Sequence, residues 1–361
     1  MKNNKKRGLT LIILLLLAMS LLGCNKLEQV TRFTYAFDGA FDTSFQFIAY
    51  CQSQEEFDQL ATHVQQRMED LHIQFDKFNP YPGVKNLHYV NAHAGTEQVK
   101  IDQELYDLLE FSISTQEEYS KKTNIALGTV LELWSHYRDF GLKYPEEASL
   151  PLLEDLKEAQ EHTKIKDVIL DKETSSVYFT DPKLKLDVGA VAKGYATELI
   201  AQELKDLECN SFILGSGGNI KIVGEPIEPN RKKWSIGLQD PDRYLFGSDR
   251  TLDKVFVTDT SVVSSGDYQR YYYVEDQLYH HIIDPDTLFP GNYYRAVYVF
   301  CEDSGLADFF STELFLLPFA ESKALAERVE GLEAQWIFPD LSIEMTEGFR
   351  MVSESQGAKP N

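Results

Sequence analysis

Short apolar segments bounded by turn residues fill the second half of the chain, and they restrict the fold more than any other feature of the sequence. Segments of this length that are apolar, or that alternate apolar with polar residues, predict β-strands. The predicted strands are residues 168–179 with a turn at 171–174, 183–188, 211–223, 234–238, 255–263, 271–274 and 296–301. An alternation of aromatic and small residues adds a predicted β-hairpin over residues 31–51.

Four other stretches predict helices, at residues 55–75, 103–121, 192–207 and 305–317. These helices are segregated from the runs of strands and do not alternate with them. We therefore expect an α+β fold, with mixed and antiparallel sheets on which helices pack. The length suits a single large domain, which we place at residues 33–345, followed by a disordered tail at residues 346–361.

The first 24 residues have the features of a bacterial lipoprotein signal. Basic residues at positions 2, 5, 6 and 7 precede an apolar run over residues 9–22, which ends at Gly23-Cys24. This run is shorter than the ~18 residues of a permanent membrane span, which is the alternative interpretation. We expect residues 1–23 to be removed, Cys24 to be lipidated, and residues 24–32 to tether the protein to the extracytoplasmic face of the cell membrane.

Charge and cysteine content exclude two classes of function. The formal charge is −22, and it becomes −26 when the four basic residues of the signal are removed. Nucleic acid is therefore excluded as a partner, because binding it requires a basic surface. After lipidation of Cys24, the chain retains Cys51, Cys209 and Cys301, without a CxxC pair. An odd number of cysteines beside apolar residues predicts buried, reduced thiols and no disulfide framework or zinc site.

The segment from Asp187 to Tyr195 places an acid, a glycine and a lysine where a predicted strand runs into a helix. The N-terminus of a helix presents free backbone N–H groups to an anion. Gly189 permits close approach of the backbone, and Lys193 supplies a positive charge. The segment therefore predicts an anion-binding turn. The alternative is that Lys193 is a surface residue of the first helical turn.

Asp308 and Thr312 are four residues apart in a predicted helix. Their oxygens would project from one face, at a spacing that suits a hard cation such as Mg²⁺. The alternative is that both residues are capping or surface residues. The glycine-rich run over residues 215–218 matches neither the GxGxxG nor the GxxxxGK[ST] pattern, so a glycine turn is the simpler prediction.

His280 and His281 form the only adjacent histidine pair in the chain, and they precede Ile282-Ile283-Asp284-Pro285. An imidazole at this position is a candidate general base near neutral pH. A structural histidine is the alternative, and the sequence does not distinguish which of the two faces a site.

Several of these runs occur together and in a known order. They are Leu186-Asp-Val-Gly-Ala-Val-Ala-Lys-Gly-Tyr195, Ser264-Ser-Gly-Asp-Tyr268, His281-Ile-Ile-Asp-Pro285 and Ala307-Asp308 through Thr312. In these runs the chain resembles the ApbE-type family of FAD:protein FMN transferases, over roughly residues 33–340. The resemblance implies a single catalytic domain of the ApbE type, and it agrees with a lipoprotein signal.

The resemblance also implies roles for individual residues. The Ala190 carbonyl and the side chains of Asp308 and Thr312 would bind Mg²⁺ at the FAD pyrophosphate, and His281 would be the catalytic base. The residues implied to contact FAD are Phe41, Phe78, Ile125, Ala126, Leu127, Asp187, Lys193 and Ile282. The chain departs from the family at residues 124–129, where Asn-Ile-Ala-Leu-Gly-Thr replaces Gly-Ala-Phe-Asp-Pro-Thr and the acid is lost.

The implied reaction moves FMN from FAD to a threonine hydroxyl of an extracytoplasmic partner protein, with Mg²⁺ and with release of AMP. Two alternatives use the same residues. One is a Mg²⁺-dependent FAD pyrophosphatase, in which water replaces threonine, and the other is a flavin-binding lipoprotein without catalysis. Asp308, Thr312 and His281 favour catalysis, because a binding protein needs neither a metal nor a base.

Overall fold

The computed structural model describes residues 30–241 and 251–361, and it is built around an eight-stranded sheet. The strands are β1 (Thr31–Asp38), β2 (Ser44–Cys51), β3 (Val99–Lys100), β4 (Val168–Asp171), β5 (Ser176–Phe179), β6 (Phe212–Ser216), β7 (Asn219–Val223), β8 (Trp234–Gln239), β9 (Thr251–Val257), β10 (Thr260–Gly266), β11 (Tyr271–Val274), β12 (Gln277–His280), β13 (Ala296–Cys301), β14 (Glu333–Ile337) and β15 (Ile343–Met345). The large sheet has the order β1-β2-β6-β7-β10-β13-β14-β15, and all its neighbouring strands are antiparallel.

The helices are α1 (Gln54–Phe75), α2 (Leu87–His93), α3 (Gln103–Tyr119), α4 (Gly128–Lys143), α5 (Leu153–Gln160), α6 (Ala192–Asp206), α7 (Ser304–Leu316), α8 (Phe319–Arg328) and α9 (Glu347–Val352). Helices α1, α6, α7 and α8 pack on one face of this sheet, α9 packs in the core on its other face, and α4 and α5 form a separate cluster with β11. Helix α7 packs on β10 and β13 and against α6, and α1 packs on β2. Because side chains alternate along a strand, Phe47 of β2 lies in the helix-covered core, whereas Ile48 lies in a second core beneath β8 and β9. The predicted α+β fold is confirmed.

Most helices and strands with a clear sequence pattern lie where the sequence predicts them. Helices α1, α3, α6 and α7 match their predicted ranges to within two residues at each end, and β1 and β2 form the predicted hairpin. The predicted strand at residues 255–263 is two strands, β9 and β10, separated by a turn in which Asp259 has a φ of 46°. Cys51, Cys209 and Cys301 are buried free thiols, as predicted.

The segment at residues 184–188 is not the predicted strand, although its backbone is fixed. Its hydrogen-bond partners come from elsewhere: the Asn91 side chain bonds both the N–H and the C=O of Leu186, at 2.7 and 2.9 Å. The N–H of Asp187 donates to the carbonyl of Ile125 at 2.7 Å. A side chain and a 3₁₀ turn therefore take the place of a neighbouring strand.

The predicted disorder of residues 346–361 is wrong. Residues 347–352 form α9, and the ring of Phe349 stacks on Phe300 of β13 with centroids 4.3 Å apart. Ser353 is buried, and its hydroxyl donates to a carboxylate oxygen of Asp253 at 2.5 Å. One aromatic anchor and this hydrogen bond hold a polar segment on the sheet.

The signal and tether at residues 1–29, including Cys24, lie outside the described residues. Within residues 30–241 and 251–361, none of the helices combines the length and hydrophobicity needed to cross a membrane.

Candidate active site

A cleft of about 450 Å³ collects residues from many loops at one end of the structure. Most of the predicted site residues line it: Phe78, Ile125, Leu127, Asp187, Ala190, Lys193, His281, Ile282 and Thr312. The first and the last of these residues, Phe78 and Thr312, are more than 230 positions apart in sequence, so the fold brings the groups together. The volume lies in the range of small-molecule sites.

Two predicted FAD contacts do not reach this cleft with their side chains. The Phe41 ring packs against His72 and Phe75 of α1, at centroid distances of 5.3 and 6.3 Å. Its neighbours Asp42 and Thr43 line the cleft instead. The Ala126 side chain is fully buried in the helix-covered core, because the 3₁₀ turn Ile125–Leu127 directs it inward.

The N-terminus of α6 meets Asp308 of α7. The Gly194 N–H donates to Asp308 Oδ2 at 2.8 Å, and Lys193 Nζ lies 3.9 Å from the same oxygen. A Cβ on Gly194 would lie 2.2 Å from the Ser304 carbonyl oxygen, so glycine is required where the two helices cross. The N-cap residue, Val191, makes no side-chain hydrogen bond to the helix. The free backbone N–H groups at this helix end are therefore available to Asp308 and to an anion in the cleft.

Asp308 and Thr312 lie one turn apart on α7. Asp308 is 5% exposed and lies behind the cleft wall, whereas Thr312 lines the cleft. Burial raises the pKa of Asp308 above its ordinary value, against the opposing effects of Lys193 and the Gly194 N–H. An acid whose charge is incompletely compensated would be stabilised by a bound cation.

The donors available here fit a hard cation such as Mg²⁺. Asp308, Thr312 and the Ala190 carbonyl offer only oxygen atoms. Across the described residues, no group of three His, Cys, Asp or Glu side chains is arranged to bind a metal. A site with a single carboxylate suits Mg²⁺, which commonly completes its coordination with water and substrate phosphates.

Asp187 is held in its ionised form beside the cleft. Its carboxylate accepts hydrogen bonds from Lys77 Nζ and, at 2.8 Å, from the Gly189 N–H. Burial raises the pKa of Asp187, but Lys77 and the Gly189 N–H outweigh that effect and hold the pKa below its ordinary value. The same turn therefore presents Gly189, Ala190 and Lys193 to a ligand.

The two histidines have different surroundings. His280 Nε2 donates to the Gly291 carbonyl at 2.7 Å, and its Nδ1 accepts from the Ile282 N–H at 3.2 Å, so both ring nitrogens serve the fold. His281 has neither bond: its Nδ1 is buried without a hydrogen-bond partner. Burial, together with His280 and the positive charges of Arg270 and Lys193, lowers the pKa of His281 to about 3. Both histidines line the cleft, and His281 is the one whose ring nitrogens are not occupied by hydrogen bonds within the described structure.

The cleft is rich in positive charge although the chain is acidic. Five cationic side chains line it against two acidic ones, Asp42 and Asp187; the cations are Lys77, Lys122, Arg138, Lys193 and Arg270. Among these, only Lys193 stands in a motif that predicts a ligand contact. The Lys121-Lys122 pair in an acidic chain is a signal for Lys122, whereas Arg138 is recognisable only once α4 is known to border the cleft.

The altered segment at residues 124–129 is structurally intact. The Asn124 side chain caps the 3₁₀ turn by accepting from the Ala126 N–H at 2.9 Å, and it donates to the Thr163 carbonyl at 2.8 Å. Thr129 donates to the Ala159 carbonyl at 2.8 Å. Ile125 and Leu127 of this segment give the cleft an apolar wall.

Comparison with known proteins gives a consistent result. The model of the ApbE family matches residues 41–336. The chain is 33% identical over 271 residues to a FAD:protein FMN transferase of Treponema pallidum, covering 72% of each protein. It is 27% identical to the FAD:protein FMN transferase of Klebsiella pneumoniae, covering 73% of this chain and 78% of that protein.

A solved structure agrees with the sequence comparisons. The crystal structure of the ApbE protein from Thermotoga maritima superposes with a TM-score of 0.76 at 26% identity, over 90% of this chain and 99% of that one. The family match spans the loops that form the cleft, from the residues after β1 to β14. The chain belongs to the ApbE family.

Proposed function

We propose that the protein is a FAD:protein FMN transferase that moves FMN from FAD to a threonine hydroxyl of a partner protein and releases AMP. One observation carries the proposal. The cleft combines a neutral imidazole, His281, with Lys193 at the N-terminal end of α6 and with the Thr312 hydroxyl of α7, behind which the Asp308 carboxylate is buried. Transfer of a phosphoryl group needs these three elements: a proton acceptor, a binding site for the pyrophosphate, and neutralisation of its charge.

Each element has a defined task. Lys193 and the backbone around Gly189 would bind the FAD pyrophosphate, and Phe78, which is 56% exposed at the cleft, offers a ring for stacking. Ala190, Asp308 and Thr312 would hold Mg²⁺, which when bound would neutralise the negative charge that develops on the leaving AMP.

His281 would accept the proton of the attacking threonine. The threonine Oγ forms a bond to the phosphorus of the FMN half while the bond from that phosphorus to the bridging oxygen of AMP breaks. Nε2 is the nitrogen available for the proton, because Nδ1 is buried. A bound pyrophosphate would offset the positive charges that lower the pKa of His281, and so would make the imidazole a better base.

Incubation of the purified protein with FAD and Mg²⁺, with and without a threonine-bearing acceptor domain, tests the proposal. AMP release that requires the acceptor is the expected result. AMP release at the same rate without acceptor would instead establish a FAD pyrophosphatase. Bound FAD without AMP in either reaction would leave a flavin-binding protein.

We propose further that residues 1–23 are a signal peptide and that lipid on Cys24 anchors the protein at the extracytoplasmic face of the cell membrane, where it meets its acceptor. The basic residues, the apolar run and Gly23-Cys24 support this. Cell fractionation of the Cys24→Ala variant tests the anchor. We expect loss of the lipid-sized mass and of membrane attachment, and a variant that keeps both would contradict the proposal.

A further inference from the structure

Residues 120–123 connect the helix that carries Asp308 and Thr312 to the rest of the cleft. Glu313, the residue after Thr312, is fully buried and points its carboxylate at this loop. It accepts from the Ser120 hydroxyl at 2.6 Å and from the backbone N–H groups of Lys121 and Thr123 at 2.8 and 2.7 Å. The Lys122 N–H also points at it, at 3.2 Å. A carboxylate with this many donors fixes the loop on α7.

The loop in turn holds the segment that follows His281. Lys122 Nζ lies 2.8 Å from Asp284 Oδ1 and 2.6 Å from Asp286 Oδ2. The side chains of Lys122 and Asp284 are only 12% and 7% exposed. A buried ion pair is costly to break, because either charge left alone is unsolvated.

Asp284 organises the chain just after His281. Its carboxylate accepts from the Asp286 N–H at 2.9 Å, and its carbonyl accepts from the Leu288 N–H at 2.8 Å. His281 lies three residues earlier, between β12 and this turn, and among the described residues its hydrogen bond is the one from its backbone N–H to the Arg270 carbonyl at 3.0 Å. Ile282 and Ile283 join His281 to this turn, and both pair with the facing segment: the Gly291 N–H donates to the Ile282 carbonyl at 3.0 Å, and Ile283 bridges to Pro290.

We propose that Lys122 is a positioning residue for His281. Held by Glu313 beside Thr312, it fixes the Asp284 turn and thereby sets the imidazole relative to the oxygen donors of α7. This inference rests on the proposed function, because it assigns Lys122 a role in the same reaction. It differs from a role in substrate binding, which the position of Lys122 in the cleft wall also permits.

Kinetics of Lys122→Met, with Lys121→Met as matched control, separate these roles. Lys121 belongs to the same loop, but its side chain is 69% exposed and pairs only with the exposed Glu321 in the described structure. We expect Lys122→Met to lower kcat for FMN transfer by about 10- to 100-fold, with KM for FAD within about twofold of wild type, because a displaced base slows the reaction and leaves the ligand site intact. Lys121→Met should match wild type, and Lys122→Arg should recover most of the activity.

The double variant Lys122→Met/His281→Ala gives the sharpest result. If Lys122 acts through His281, the double variant is as slow as His281→Ala alone, to within about twofold. A further tenfold loss, or a rise in KM with unchanged kcat in Lys122→Met, would show that Lys122 acts on the substrate and would overturn the inference.

Hydrogen exchange, measured without substrate, distinguishes a local loosening of the turn from a general defect in folding. Hydrogen exchange of residues 281–289 should be faster in Lys122→Met than in wild type or Lys121→Met, while exchange in β10 and β13 stays unchanged. Unchanged exchange in residues 281–289 would overturn the inference, as would an equal increase throughout the protein. An inactive wild-type protein would refute the proposed function itself, and it is distinguished because wild type and Lys121→Met are assayed in parallel.

Discussion

The buried carboxylate of Glu313 permits a quantitative test of the architecture around the cleft. Replacement of Glu313 by Ala leaves the backbone N–H groups of Lys121 and Thr123 without their acceptor, whereas the Lys122 N–H keeps the Ser120 hydroxyl oxygen at 3.1 Å. An unsatisfied buried donor costs about 1–3 kcal/mol. Lys121 lies at the surface, where water replaces part of the loss, so the expected decrease in the free energy of unfolding is about 3 kcal/mol.

Thermal unfolding measures this decrease. In a protein of 361 residues, an entropy of unfolding of about 2.1 cal/mol/K per residue makes this loss correspond to a Tm lower by about 4 °C. Glu321→Ala is the matched control, because Glu321 pairs with Lys121 at the surface, with its side chain 51% exposed. An exposed pair contributes about 0–1 kcal/mol, so this variant should unfold within about 1.5 °C of wild type. A Glu313→Ala variant as stable as Glu321→Ala would refute the assignment of Glu313 as the anchor of the loop.

Three further predictions concern the site. His281→Ala should bind FAD as wild type does, by fluorescence titration, while FMN transfer falls by about 10²- to 10⁴-fold; normal turnover would exclude it as the base. Asp308→Ala should raise the Mg²⁺ concentration for half-maximal AMP release by about tenfold or more, and an unchanged requirement would remove it from the metal site. The lowered pKa of Asp187 means that its pairing with Lys77 stabilises the fold above about pH 4 and that this stability is lost as the pH falls further. Lys77→Met should therefore lower Tm at pH 7 and show a smaller deficit near pH 3, and a deficit independent of pH would contradict this.

The sequence predicts the parts of the fold in which local pattern decides the structure. Helix α1 has its apolar residues on one face and a capping serine, Ser53, whose hydroxyl accepts from the Glu56 N–H at 3.2 Å. Such signals lie within a few residues of each other. The segment at residues 184–188 has the composition of a strand, but its partner is the Asn91 side chain, almost a hundred residues away. Phe349 likewise finds its partner, Phe300, only in the folded sheet.

The same distinction applies to the site. Asp187, Lys193, His281 and Thr312 stand in recognisable motifs, and the structure brings all four to one cleft. The choice between His280 and His281 requires the hydrogen bonds that occupy both nitrogens of His280. Charge pairing across the cleft is also invisible in the sequence.

The central claim is that this cleft transfers FMN to a hydroxyl group of another protein. Its most direct test is the intact mass of an acceptor domain after incubation with the protein, FAD and Mg²⁺, compared with the same domain in which the target threonine is replaced by valine. We expect a mass increase of one FMN on the threonine form alone, with one AMP released for each acceptor modified. An unmodified threonine form, with free FMN and AMP in solution, would contradict it.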